Sequence, residues 1–295
     1  MLAVVGTVPD QDFPLISGKV ILEDNTISIE GNRVPVNRGT PALLAAAVKV
    51  GEVMGQSPPV GYLVGDIGLG KGSRHLYEYL TEHLGRCDFN SIAFHYLQPD
   101  VDWHNRVLFA VEDMAKRPLL VADAGFMYAA KMSGQASEYD LFTPDVGELA
   151  FLADEEAPHP FYTRGFILQE EMRVQELIER AYKHGNAANC LLVKGQPDYV
   201  ASLEGIQATI DLPVEEAMEA IGGTGDTVTG IVAALIEAGI DVKESSIIAA
   251  QVNRLAGHYA DPRPATQVMD IIREIPAALA KVLDEKRIVV GQSRV

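Results

Sequence analysis

Cysteine is almost missing from this chain. Cys87 and Cys190 are the only two in 295 residues, too few for a disulfide framework, and they read as buried or partly buried thiols. Cationic residues are scarce too: 24 Lys plus Arg stand against 41 Asp plus Glu, a formal net charge of −17. Gripping duplex nucleic acid requires a cationic face that displaces counterions from phosphates, and this composition argues against one. The same acidic surplus repels anionic lipid surfaces. Long apolar runs are absent. Pro41 to Val48 and Gly230 to Ile236 fall well short of the roughly 20 residues that cross a bilayer. The opening Met-Leu-Ala-Val-Val-Gly is too short for a secretion signal and soon meets Asp10 and Asp12. No His-Glu-x-x-His or Cys/His ligand spacing occurs among the seven histidines, so a zinc site lacks support. No Gly-x-Ser-x-Gly elbow is present, which removes the usual serine-hydrolase signature. The expectation is a soluble, cytoplasmic protein that binds neither nucleic acid nor membrane.

What is present is an ordinary globular mixture, 47% apolar and 22% charged, enough for a sizeable core. Short apolar runs alternate with segments of helical period. Strands are expected at Val60–Gly65, Ser91–His95, Leu119–Asp123, Leu141–Thr143 and Cys190–Val193. Between and after them, helices are expected at Arg74–Leu84, Trp103–Lys116, Gly147–Ala153, Gln169–His184, Asp226–Ala238, Lys243–Ala260 and Thr266–Leu283. In Trp103–Lys116, for example, Val107, Ala110, Val111 and Met114 fall on one face. Such alternation predicts an α/β fold with a mostly parallel sheet covered by helices on both faces. Two stretches break the rhythm. Residues 18–37 alternate apolar and polar side chains around Asp24-Asn25 and Gly31-Asn32, as a β-hairpin does, and Asp154 to Arg164 reads as a surface loop. No linker divides the chain, so residues 1–295 are read as one domain.

The candidate chemistry falls at strand ends, where open parallel sheets bind ligands. Gly222-Gly223-Thr224-Gly225-Asp226 opens a helix; its glycines let backbone N–H groups converge on an anion, aided by the helix dipole. Asp226 lies at the mouth of that hole, placed to take a proton from a hydroxyl attacking phosphorus, or else it caps the helix. Gly65 to Gly72 nearly matches the phosphate loop G-x-x-x-x-G-K-[ST], with Gly65, Gly70 and Lys71 in place, but Gly72 stands at the Ser/Thr position and Ser73 comes one residue late. In Thr143-Pro144-Asp145-Val146-Gly147-Glu148, Glu148 could hold Mg²⁺ through water or be a solvated acid in a first helical turn. Lys194 ends a buried strand as a phosphate contact or a snorkelling side chain. Asp123 ends another, to hold a substrate hydroxyl or to cap the next turn.

In order, these elements resemble the ribokinase-like superfamily, and within it the ADP/ATP-dependent NAD(P)H-hydrate dehydratases. Gly65 to Gly70 is similar to a G-x-G-L-G turn, Ala122 to Phe126 to D-A-D-A-L, Thr143 to Glu148 to T-P-H-x-x-E, and Val193-Lys194-Gly195 to L-K-G. Gly222 to Gly230 resembles G-G-x-G-D-x-L-x-G, and Arg38 to Ala45 resembles the helix opening G-A-x-x-L-A. The resemblance implies a three-layer sandwich with a nine- or ten-stranded, mostly parallel sheet. It implies ADP or ATP held by Lys194, Gly195, Gly222, Gly223, Thr224 and Gly225, with Mg²⁺ assisted by Glu148 through water and Asp226 as catalytic base. Thr40, Gly68, Asp123 and Asp145 take the substrate side. The implied reaction transfers a phosphoryl group to the hydroxyl of hydrated NAD(P)H and then eliminates phosphate. Asp145 replaces the family histidine, Thr40 replaces an alanine, and Glu216 to Ile221 replaces an Asn-Pro run. These departures keep open a kinase of another small hydroxylated metabolite, such as a sugar or vitamin precursor, and a non-catalytic nucleotide binder is the third alternative. Apolar faces on the last two helices leave a homo-oligomer open.

Overall fold

The computed structural model describes residues 1–157 and 173–288. In chain order the strands are β1 (Leu2–Val8), β2 (Ile16–Lys19), β3 (Ile21–Glu23), β4 (Thr26–Ile29), β5 (Asn32–Pro35), β6 (Val60–Gly65), β7 (Ser91–Phe94), β8 (Leu119–Ala122), β9 (Leu141–Phe142), β10 (Cys190–Val193), β11 (Asp198–Ser202) and β12 (Gly205–Ile210). The helices are α1 (Thr40–Met54), α2 (Lys71–His83), α3 (Val101–Glu112), α4 (Ala124–Met132), α5 (Val146–Ala153), α6 (Val174–Lys183), α7 (Thr224–Glu237), α8 (Val242–Tyr259) and α9 (Val268–Lys286).

Nine strands form one sheet in the order β12-β11-β10-β9-β8-β7-β1-β6-β2. Its centre, from β10 to β6, is parallel, and antiparallel strands close both edges. Side chains alternate across the sheet with the period of a pleated strand. Leu2, Val4, Leu63, Val121 and Leu192 enter one core with α1, α7, α8 and α9. Ala3, Val5, Tyr62, Val64, Leu120, Leu191 and Val193 enter the other, with α2 to α6. This is a three-layer sandwich with helices on both faces, as the resemblance implies. Buried on both sides, the central strands can be apolar throughout.

The segment expected as a hairpin at 18–37 differs in detail. It forms a separate three-stranded antiparallel sheet, β3-β4-β5, with one turn at Asp24-Asn25, as read from the sequence, and the other at Glu30-Gly31, one residue before the expected Gly31-Asn32 because Asn32 already pairs with Ile29 in the ladder. Ile27, Ile29 and Val34 of this small sheet are buried in the α1 core, so burial of one face supports a third strand that a free hairpin would not need. Most of the loop expected at 154–164, and residues 169–172 of the helix expected from Gln169, lie outside the described residues; that helix is described as α6.

Candidate functional site

The carboxyl ends of the parallel strands open into a cleft of about 830 Å³. Arg38, Gly39, Gly68, Tyr96, Glu148 and Asp226 line it, with Gly222 and Gly223 beside them. Gly223, in the left-handed region at φ 101°, turns the chain into α7, and among the described residues no side chain caps that helix. The backbone N–H groups at its start are therefore left for an anion. Arg38 brings an exposed cation next to the same turn.

Asp226 does not cap its helix. Its Oδ2 accepts a 2.6 Å hydrogen bond from the Gly39 N–H, 187 residues away in the chain. Its Oδ1 lies 3.1 Å from His95 Nε2. That contact is at hydrogen-bond distance but out of line, and among the described residues Nε2 has no well-directed partner. Burial alone would raise the Asp226 carboxyl; the His95 ring, the Lys194 charge and the Gly39 N–H outweigh it and hold the acid below its ordinary range. A buried but ionised carboxylate at a cleft wall is suited to accept a proton.

Lys194 stands at the end of β10 with its Nζ 3.0 Å from both oxygens of Asp123. Burial works against its charge, but Asp123, Glu148 and Asp226 together raise its pKa. The lysine stem runs alongside Gly225, which places the ammonium at the glycine turn. Asp123 also accepts from the Ala124 N–H at 2.8 Å and the Thr229 hydroxyl at 2.6 Å. Gly195 donates to Asp198 at 2.9 Å, and its carbonyl accepts from Arg254 at 2.8 Å. The buried Arg254–Asp198 ion pair, 2.7 Å long, thus pins the loop after Lys194. Thr224 donates its hydroxyl to the Ile221 carbonyl at 3.2 Å, tying the start of α7 to the segment before it.

On the other wall Glu148 lines the cleft, and Asp145, which does not line it, forms a capping box with it. Asp145 Oδ1 accepts from the Glu148 N–H at 2.7 Å, and Glu148 Oε2 accepts from the Asp145 N–H at 2.9 Å. Burial, with Asp123 and Asp145 nearby, pushes the Glu148 carboxyl up to about 8 against the opposing pull of Lys194. Gly68 lines the cleft with its N–H donated to Asp66. Thr40 and Asp123, expected on the substrate side, are 0% and 1% exposed. Thr40 bonds the His95 ring at 3.0 Å and Asp123 bonds Lys194, so each reaches the cleft only through a neighbour.

The phosphate-loop alternative meets a specific obstacle. The loop N–H groups of Gly68, Gly70 and Ser73, and the Ser73 hydroxyl, all converge on the carboxylate of Asp66 at 2.8–3.0 Å. An acid of the loop itself fills the space a phosphate would take, and Lys71 is exposed. Sequence reading missed Asp66 in this role, and also His95, Gly39, Thr229 and the Arg254–Asp198 pair. His95 alone carried a signal, since it closes an expected strand just as Asp123 does.

A model of the family described as NAD(P)H-hydrate dehydratase matches residues 98–277. The chain belongs to that family. It is 40% identical over 242 residues to an uncharacterised protein of Methanocaldococcus jannaschii, covering 82% of this chain and all of that one. It is 28% identical over 176 residues to the ADP-dependent (S)-NAD(P)H-hydrate dehydratase of Cenarchaeum symbiosum, covering 59% of this chain and 55% of that enzyme. The fold is similar to phosphofructokinase-2 of Escherichia coli, with TM-score 0.55 at 13% identity over 95% of this chain and 99% of that one. Membership of the dehydratase family makes the chain one of a nucleotide-dependent enzyme class with a small-molecule substrate. Among the described residues no helix is long and apolar enough to cross a membrane.

Proposed function

We propose that the protein catalyses ADP- or ATP-dependent dehydration of hydrated NAD(P)H, with Asp226 as general base. The Asp226 carboxylate, ionised and set beside the uncapped start of α7, carries this reading. Nucleotide phosphates would lie on the N–H groups of Gly222 to Gly225, with Lys194 and Gly195 alongside. The substrate would occupy the rest of the cleft, against Gly68 and the Glu148 wall. Asp226 takes the proton of the substrate hydroxyl as its oxygen attacks the terminal phosphorus; the new O–P bond forms and the bridging bond to the nucleotide breaks. The substrate C–O bond then breaks with loss of a proton from the neighbouring carbon, and inorganic phosphate leaves. Positioning and charge stabilisation supply most of such catalysis. Among the described residues no group of three or more acids, histidines or cysteines stands ready to ligate a metal, so a divalent cation would meet the protein chiefly through Glu148, a half-buried carboxylate lining the cleft. Glu148 would hold Mg²⁺ through water, and the ion would neutralise phosphate charge.

A kinase that stops after transfer is the second reading, favoured by Asp145 in place of the family histidine: in this structure it caps α5 instead of presenting an imidazole. Nicotinamide absorbance decides between them when purified protein meets hydrated NADH or NADPH with ADP or ATP and Mg²⁺. A nucleotide-dependent rise supports dehydration. No rise, with nucleotide still stabilising the protein on melting, overturns it in favour of the kinase. Asp226→Asn should lower turnover roughly 10²–10⁴-fold, and full activity in that variant would remove Asp226 as the base.

A further inference from the structure

His95 follows the last residue of β7 and is fully buried. Its ring is held from three directions. Nδ1 lies 3.0 Å from the hydroxyl of Thr40, the first residue of α1. The Tyr96 ring packs against it edge-on, with centroids 4.2 Å apart. Nε2 faces two carboxylates, Asp226 Oδ1 at 3.1 Å and Asp123 Oδ2 at 3.7 Å. Carboxylates only accept, so Nε2 carries a proton toward them, while the Thr40 hydroxyl can complement Nδ1 in either role. β1 makes room for this arrangement: a Cβ on Gly6 would fall 2.3 Å from Thr40 Oγ1. A histidine sealed from water needs partners for both ring nitrogens. Nδ1 has one in a threonine whose hydroxyl makes no other hydrogen bond among the described residues; Nε2 has none in line there, and the acceptor nearest to it is the carboxylate proposed to act as base.

We infer that His95, braced by Thr40, is a positioning residue for Asp226. Its Nε2 stands 3.1 Å from Oδ1, a close polar contact that is not an aligned hydrogen bond, while the Gly39 N–H bonds Oδ2, so both oxygens of the carboxylate are held in place relative to the cleft. The ring proton also sits between two buried acids that would otherwise repel each other, and one of these, Asp123, holds Lys194. His95 therefore ties the base to the lysine at the glycine turn. The inference rests on the general-base reading of Asp226.

The charged and titratable groups facing the ring are Asp226 from α7, Asp123 from the end of β8 and Tyr96 beside it, with Lys194 behind Asp123. Take the ring away and Asp226 keeps only Lys194 and the Gly39 N–H against its burial. Its pKa then climbs, and the acid limb of kcat/KM moves to higher pH.

The test compares wild type with His95→Phe, His95→Gln, Thr40→Val and Asp226→Asn, assayed with hydrated NADPH, ADP and Mg²⁺ across pH. His95→Phe should lower kcat roughly 10–100-fold, as a misaligned group does, leave the KM for ADP within about twofold, and shift the acid limb upward. His95→Gln, whose amide N–H can stand where Nε2–H stood, should restore most of kcat and the wild-type limb. Thr40→Val should show a smaller shift in the same direction. A loss of kcat with an unmoved acid limb and no rescue by Gln marks a merely structural histidine and overturns the inference. So does wild-type behaviour of His95→Phe alongside an inactive Asp226→Asn, an outcome that leaves the base reading intact. A fully active Asp226→Asn instead overturns the base reading, and the positioning role with it. Should His95→Phe fail to fold, Thr40→Val carries the decision: an unchanged acid limb there overturns the inference.

Discussion

Lys194 and Asp123 form a two-pronged ion pair beside the glycine turn that opens α7, with the ammonium 3.0 Å from each carboxylate oxygen. The side chains are 13% and 2% exposed, so the pair is largely desolvated. Removing one partner of such a pair leaves a buried charge, at a cost of about 3–5 kcal/mol. Lys194→Met should therefore lower Tm on the order of 10 °C. Loss of a charged hydrogen bond to phosphate should also weaken nucleotide binding about 10–100-fold. Asp123→Asn should be milder in stability, since an amide oxygen can still accept from Thr229. Melting curves and nucleotide titrations read both effects. Nucleotide affinity unchanged in Lys194→Met would make the lysine a structural partner of Asp123 and nothing more.

The loop after β6 makes an opposite forecast for its own lysine. Asp66 already gathers the N–H groups of Gly68, Gly70 and Ser73, and these bonds hold its carboxyl below the ordinary range despite some burial. Lys71→Ala should leave the KM for ADP or ATP within about twofold. Asp66→Ala should release four hydrogen bonds, each worth about 1 kcal/mol, and loosen a wall of the cleft. The expected signs are a lower Tm and a raised KM for the substrate. Loss of nucleotide binding in Lys71→Ala would restore the phosphate-loop reading.

Local signals and distant ones divide what the sequence could reveal. The parallel strands Val60–Gly65 and Leu119–Asp123 are short apolar runs bounded by turn residues, so their period and ends are self-contained. The glycine turn before Asp226 is likewise local. The central strand β1 was not anticipated, because its apolar run opens the chain and invites comparison with a leader. α4 (Ala-Gly-Phe-Met-Tyr-Ala-Ala-Lys-Met) has a weak polar stripe and is largely buried, so it lacks the amphipathic period that marks a surface helix. The site hides for a different reason. Asp226 with Gly39, Asp123 with Lys194 and Asp198 with Arg254 are pairs 187, 71 and 56 residues apart. Only the order of strands in the sheet brings them together, and no spacing in the chain encodes it.

His104 supplies a pH dependence away from the cleft. It is fully buried, with Nε2 2.8 Å from the Tyr139 hydroxyl and Nδ1 3.1 Å from the Ser133 hydroxyl. Desolvation lowers its pKa from 6.5 to about 4. Between these values the unfolded chain binds a proton that the folded chain does not, so stability rises with pH across the window. The contribution is complete above about 6.5 and is lost as pH falls through 4, roughly 3 kcal/mol in all. His104→Gln, which cannot titrate, should flatten that part of the Tm-against-pH curve while costing some stability at neutral pH. An equal slope in wild type and variant would assign the acid sensitivity to other groups.

Gly230 connects packing to chemistry. It lies on the face of α7 that crosses α1, and a Cβ there would fall 2.2 Å from the Leu43 carbonyl oxygen and 3.0 Å from the Ala46 Cβ. The first of these is backbone, so Gly230→Ala forces the helices apart. Overpacking of this kind costs about 1–3 kcal/mol, and a fall in Tm of roughly 3–10 °C is expected. The same displacement moves Gly39, at the start of α1, away from Asp226, near the start of α7, and so weakens the 2.6 Å bond that clamps the carboxylate. Turnover should then fall by about tenfold or more at temperatures where the variant is fully folded, because a base misplaced by a fraction of an ångström loses much of its advantage. Circular dichroism melts and turnover measured well below Tm separate the two effects. A destabilised variant with wild-type turnover would show that the glycine serves the core alone.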